Sequence, residues 1–138
     1  MCDNGRGGRN VGFREYNPNP AKRNTVDCAV RAVSKALGQD WETTYAGLSV
    51  QGYMLNDMME ANHVWGAYLK QHGFKRYIIP DDLPDGYTVR DFAEDHPRGT
   101  YVLAVSNHVV TIVDGDWYDT WDSGNEIPIY YLSYEEVR

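Results

Sequence analysis

A cysteine, a histidine and an acid, in the chain order Cys28, His108 and Asp119, carry the chemistry that this sequence offers. Cys28 lies in the stretch NTVDCAVRAVSKALG, residues 24–38, just inside what reads as the first turn of a helix. A helix N-terminus presents unpaired amides and a positive dipole end, and both favour thiolate over thiol. A free cysteine is scarcely ionised at neutral pH, so that placement matters for a nucleophile. Taken alone, a cysteine beside an apolar stripe is a small core residue. The catalytic reading therefore depends on a base and an orienting acid elsewhere in the chain.

The stretch SNHVVTIVDGDWYDTWDSG, residues 106–124, offers both. HVVTIV, then DGD, then WYDTW reads as a β-hairpin, because Asp-Gly or Gly-Asp suits the positive-φ positions of a tight turn. His108 opens the first strand, and Asp119 and Asp122 are the candidate acids on the second. With a turn at Asp114-Gly115, Val113 pairs with Asp116 and Val110 with Asp119. With a turn at Gly115-Asp116, Ile112 pairs with Asp119. In both registers Asp119 shares the face of His108 and Asp122 points the other way, provided no bulge intervenes. Only the first register brings Asp119 diagonal to His108, within side-chain reach. Asp119 then shares its face with Val110, Ile112 and Trp121, where a carboxylate is costly unless partnered. His108 is the natural partner: a carboxylate on one ring nitrogen fixes the imidazole and leaves the other nitrogen for a thiol. Trp121, beside His108, is expected to shield the imidazole or line a substrate groove, and Asn107 is the other candidate for lining the site.

The elements that must hold these groups follow from periodicity and punctuation. A short edge strand is expected at Val11–Tyr16, ended by NPNP. The first helix has Asn24 or Thr25 as its cap, Asp27 in its first turn, an apolar stripe at Val26, Ala29, Val30, Val33 and Leu37, and Gly38 as its stop. DWETTYAGL reads as a short second helix capped by Asp40. NDMMEANHVWGAYLKQHG reads as a third, from a cap at Asn56 to a stop at Gly73. FKRYIIP has β character, TVRDFAEDHP is a short capped helix, and GTYVLAVS, the hairpin and IPIYYLSY are strands. Helices first and an antiparallel sheet second is the α+β class. The expected organisation is a flexible, basic, Gly-rich segment over residues 1–20 and a single domain over 21–138.

With those residues in place, the chain resembles the papain-like cysteine peptidases. VDCAVRAVSKALGQDWETTY, TVRDFAEDHPRGTYVLAVSNHVVTIVDG and WYDTWDSG are similar to small phage and gut-bacterial proteins grouped with the bacteriocin-processing and other compact papain-like peptidases. The likeness spans roughly residues 24–132. It implies a papain-like α+β fold with Cys28 as nucleophile, His108 as base and Asp119 as orienting residue. It also implies an oxyanion donor about six residues before the nucleophile, where this family commonly has glutamine. That position is Lys22 here, and Asn24 is the nearest side-chain amide able to substitute; Lys22 or Arg23 could instead supply positive charge.

Composition narrows the partners. Residues 1–23 carry five basic and two acidic groups, whereas the remainder carries eight basic and eighteen acidic, within a net charge of −7. An acidic body argues against nucleic acid as a partner, since phosphate binding needs a cationic face. No apolar run approaches the ~20 residues that span a bilayer, and the polar N-terminus does not read as a signal peptide. With two cysteines, Cys2 and Cys28, no disulfide framework is implied, and a reducing, cytoplasmic setting is expected. His63, His72 and His96 lack metal-ligand spacing, so neither metal nor cofactor is expected. Two functions follow: a cysteine hydrolase acting on a peptide or protein amide through an acyl-enzyme, or a papain-like fold serving as a protein-binding module of phage or mobile-element origin.

Overall fold

The computed structural model describes residues 12–134, an α+β arrangement of four helices and one six-stranded mixed sheet. The elements in chain order are β1 (Gly12–Glu15), α1 (Cys28–Leu37), α2 (Trp41–Leu55), α3 (Asn62–Gln71), β2 (Phe74–Ile78), α4 (Val89–Asp95), β3 (Thr100–Val105), β4 (His108–Val113), β5 (Asp116–Asp119) and β6 (Tyr130–Tyr134). The strands lie in the order β1-β5-β4-β3-β6-β2. Every pairing is antiparallel except β1 with β5, which is parallel, so the expected all-antiparallel sheet is corrected at that edge. The short edge strand expected at Val11–Tyr16 is β1, Gly12–Glu15. Residues 12–15 are a sheet strand and Asn19 is buried, while the basic, Gly-rich stretch and Cys2 lie outside the described residues.

Side-chain alternation sends the sheet into two cores. On one face, Val102, Ala104, Val109 and Leu132 pack against α1, α2 and α3 through Ala29, Val33, Leu48, Trp65 and Leu69. On the other, Leu103, Val105, Val110, Ile112 and Trp117 pack against Val89, Phe92 and Ala93 of α4. β4 is thus apolar on both faces because both are covered. α1 is pinned to the first face by the Thr111 hydroxyl, which donates to the Ala32 carbonyl at 2.6 Å.

Several helix ends differ from expectation for identifiable reasons. The N-cap of α1 is Asp27, not Asn24 or Thr25, and its carboxylate turns inward instead of capping an amide. Val26 leaves the apolar stripe and is 92 % exposed. Gly38 ends the helix in the left-handed region as expected, and Asp40 caps α2. α2 runs past Leu48 to Leu55 because Gly47 serves close packing and does not break the helix. A Cβ there would lie 2.5 Å from the Tyr68 hydroxyl oxygen of α3. Asn56, expected to start the third helix, instead ends α2 in the left-handed region, and α3 begins only at Asn62. Thr88 and Asp91 form the reciprocal capping box of α4.

Candidate active site

The β4–β5 hairpin turns at Asp114 (φ 51°) and Gly115 (φ 85°), a two-residue turn with both centres at positive φ. Val113 pairs with Asp116, Ile112 with Trp117 and Thr111 with Tyr118. This is the register that carries Asp119 toward His108. Asp122 goes elsewhere, accepting from the Trp117 indole N–H at 2.8 Å and the Gly124 amide at 3.0 Å. At the rim where β4 starts and β5 ends, the first residue of α1 comes alongside, so Cys28, His108 and Asp119 meet between the helix layer and the sheet.

Asp119 is 2 % exposed and fully partnered. Its Oδ2 meets His108 Nε2 at 2.6 Å and accepts from the Ser123 hydroxyl at 2.7 Å. Its Oδ1 accepts from the Thr120 amide at 2.8 Å and from an Arg31 guanidinium nitrogen at 3.1 Å. Burial pushes this carboxyl up, but the hydrogen bonds from His108 and Ser123 outweigh it and hold Asp119 below the usual carboxylate range.

With Nε2 of His108 committed to Asp119, Nδ1 remains for Cys28, and ring and sulfur share a hydrogen bond. Cys28 is half-buried, and the Val109 amide donates to its sulfur. Burial alone would raise the thiol. The His108 hydrogen bond and charge, the Val109 amide and the Arg31 charge reverse that, leaving Cys28 below its ordinary value. Burial likewise opposes the charged imidazole, yet its bonds to Asp119 and Cys28 push His108 up to about 9. Both shifts favour the same species, a thiolate beside an imidazolium.

No family model, curated protein or solved structure matches this chain. Trp121 lies over His108, ring centroids 4.9 Å apart, and remains 46 % exposed, a lip over the imidazole. Asn107 is an exposed turn residue at φ 55° between β3 and β4. Asn24 is exposed in the segment ahead of α1, and the Lys22 ammonium is engaged with the Asn17 carbonyl at 2.9 Å. Among the described residues no group of three His, Cys, Asp or Glu is placed to hold a metal ion. His63 pairs with Asp57, while His72 and His96 bond to backbone carbonyls of their own helices.

Three contributors are not evident from the sequence: Arg31, Trp41 and Ser123. Arg31 is 5 % exposed and bridges Asp119 to Asp27, whose other oxygen accepts from the Trp41 indole N–H at 2.9 Å. Ser123, fully buried, braces Asp119. The four-residue spacing of Asp27 and Arg31 is a helical ion-pair signal, but it is ordinarily read as surface chemistry.

Proposed function

We propose that this chain is a papain-like cysteine hydrolase that cleaves a peptide or protein amide. The observation that carries the reading is the hydrogen-bonded series Cys28, His108, Asp119, with the nucleophile at a helix N-terminus and the carboxylate buried behind the imidazole. The Cys28 thiolate attacks the carbonyl carbon, and the carbonyl π pair moves to oxygen. The first-turn amides of α1, which a helix start leaves unpaired, are the donors this chain offers to that developing charge. His108 then gives its proton to the leaving nitrogen as the C–N bond breaks, leaving a thioester on Cys28. Water, deprotonated by His108, attacks the thioester, and the expelled thiolate recovers its imidazolium partner. Asp119 keeps the ring oriented and supports its positive charge throughout. A reducing, cytoplasmic setting suits such a thiol.

A second reading, a binding module on the same fold, is favoured by one observation. Lys22 is turned to Asn17 and Asn24 lies exposed, so a side-chain oxyanion donor is not assembled from those residues. Loss of one such donor typically costs ~10²–10³ in rate.

Iodoacetamide labelling of Cys28 against pH, in a Cys2→Ser chain with and without His108→Ala, decides between them. The hydrolase reading expects labelling at mildly acidic pH that collapses in His108→Ala. An ordinary thiol titration near ~8.5 in both proteins would overturn it.

A further inference from the structure

Arg31 is an unusual residue to find inside a helix packed on both sides. Arginine is almost never fully buried unless paired, and a guanidinium cannot shed its charge to escape the cost. Here the charge is matched by two carboxylates from different layers. One terminal nitrogen bonds Asp27 at the start of the same helix, and the other bonds Asp119 at the end of β5. Trp41 of α2 braces Asp27 from the far side. The result is a row of alternating charge through the protein: Asp27, Arg31, Asp119, His108, Cys28.

We infer that Arg31 is a positioning residue of this site: by bridging Asp27 and Asp119 it fixes the carboxylate that orients His108 and sets a permanent positive charge behind the Cys28–His108 pair. The inference rests on reading Cys28, His108 and Asp119 as the catalytic centre, and concerns how that centre is tuned. Two effects of Arg31 can be separated. Its bond to Asp119 Oδ1 is geometric, leaving Oδ2 for His108 and Ser123. Its charge is electrostatic and acts on the thiol and the imidazole alike, making the thiol easier to ionise and the imidazolium harder to keep protonated.

The other groups facing Arg31 do not change that sign. From α1 they are Asp27 and Cys28, with Lys35 one turn on and turned to the rings of Tyr118 and Tyr16. From the sheet side they are Asp119 and His108, with Tyr16 just past β1 close enough to sense the guanidinium. α2 contributes the Trp41 N–H, and its own acids Asp40 and Glu42 are exposed. Arg31 Nε is buried without a hydrogen-bond partner among the described residues. That is a local cost which suits a residue retained for placement more than for stability.

The experiment is the pH dependence of Cys28 alkylation in the full Cys2→Ser chain, read as two transitions, one where the thiolate forms and one where His108 loses its proton. In Arg31→Met both transitions should move alkaline together, by about one pH unit, as for the loss of a nearby cation. In Asp27→Asn both should move acid. Arg31→Lys, which keeps the charge but cannot bridge two carboxylates with a planar fork, should return the transitions toward their original positions while labelling stays slower. A merely structural arginine gives a different pattern: the site loosens and the transitions converge, the acid one rising and the alkaline one falling. Convergence, or unmoved transitions in all three variants, overturns the inference. Should Arg31→Met fail to fold, Asp27→Asn and Arg31→Lys carry the test. A single ordinary thiol transition in the chain that retains Arg31 instead overturns the hydrolase reading beneath it.

Discussion

At the scale of single residues, the site depends on how a buried carboxylate shares four donors. Asp119 gives one oxygen to Arg31 and the Thr120 amide and the other to His108 and Ser123. Asp119→Asn keeps the shape but removes the charge and offers an N–H where one of these partners needs an acceptor. The imidazolium then loses its support, and Cys28 labelling at pH 6 should fall at least about tenfold, as when the titration of the pair moves by one pH unit. Ser123→Ala removes one neutral donor and leaves three, so its effect should be only a few-fold, and equal rates for the two variants would show that Asp119 acts by shape alone. Cys28, His108 and Asp119 were legible in the sequence because helix placement, strand parity and the cost of a carboxylate on an apolar face converged on them. Arg31 was not, since a charged side chain in a helix is read as solvated unless something marks it as enclosed, and that enclosure comes from the sheet and α2, elements distant in the chain. Asn24 was read as cap or donor by proximity; Asp27 holds the cap position because its carboxylate has Arg31 and Trp41 to satisfy it.

At the scale of elements, one hairpin sets the distance between base and acid. A single-residue slip would turn Asp119 to the opposite face, and the turn at Asp114-Gly115 prevents it. Gly115 sits at φ 85°, and Asp114, at φ 51°, accepts the Gly99 amide through its side chain at 2.9 Å. Gly115→Val forces a β-branched residue into the left-handed region, at a cost of about 1–2 kcal/mol, to be measured by urea unfolding. Cys28 labelling should slow beyond what that loss of stability explains, because the register moves with the turn. Unchanged labelling kinetics in the folded variant would show that the strands, not the turn, fix the pairing. A tight turn within DGD could be anticipated from its Asp-Gly and Gly-Asp chemistry, though not which of the two pairs makes it, and a short capped helix could be anticipated from TVRDFAEDHP. The extent of α2 could not, because nothing in DWETTYAGL marks Gly47 as the place where the Tyr68 ring of α3 packs. The parallel pairing of β1 with β5 was equally hidden, since a four-residue strand carries no mark of direction.

At the scale of the whole molecule, the charge row joins the helix layer to the sheet, so the proton balance of the site also bears on the stability of the fold. His108 is raised from 6.5 to about 9 in the folded chain. Its contribution is therefore complete below about pH 6.5 and lost as pH rises toward 9. Cys28 is lowered, so its contribution runs the other way, present above the unfolded thiol value and lost as pH falls. Where the lowered thiol has ionised and His108 still keeps its proton, the folded pair holds one proton, as a thiolate and an imidazolium, and between about pH 6.5 and 8.5 the unfolded pair also holds one, as a thiol and a neutral imidazole. Where the two ranges overlap the dependences cancel, and the pair should add no slope to unfolding free energy. Cys28→Ala removes one side of that balance. Only the histidine contribution then remains, still raised by Asp119, and stability should decline across the same window relative to the unsubstituted chain. The decline should amount to about 1–3 kcal/mol, since each pH unit separating the folded and unfolded titrations is worth about 1.36 kcal/mol. Asp119 is lowered too, but its contribution is lost only on acidification, below the usual carboxylate range, and is common to both proteins. Urea unfolding at several pH values, with Cys2→Ser in both chains, reads the difference directly. Parallel stability curves would mean that His108 holds no extra proton in the folded state, and the thiolate–imidazolium pair would fall with that result.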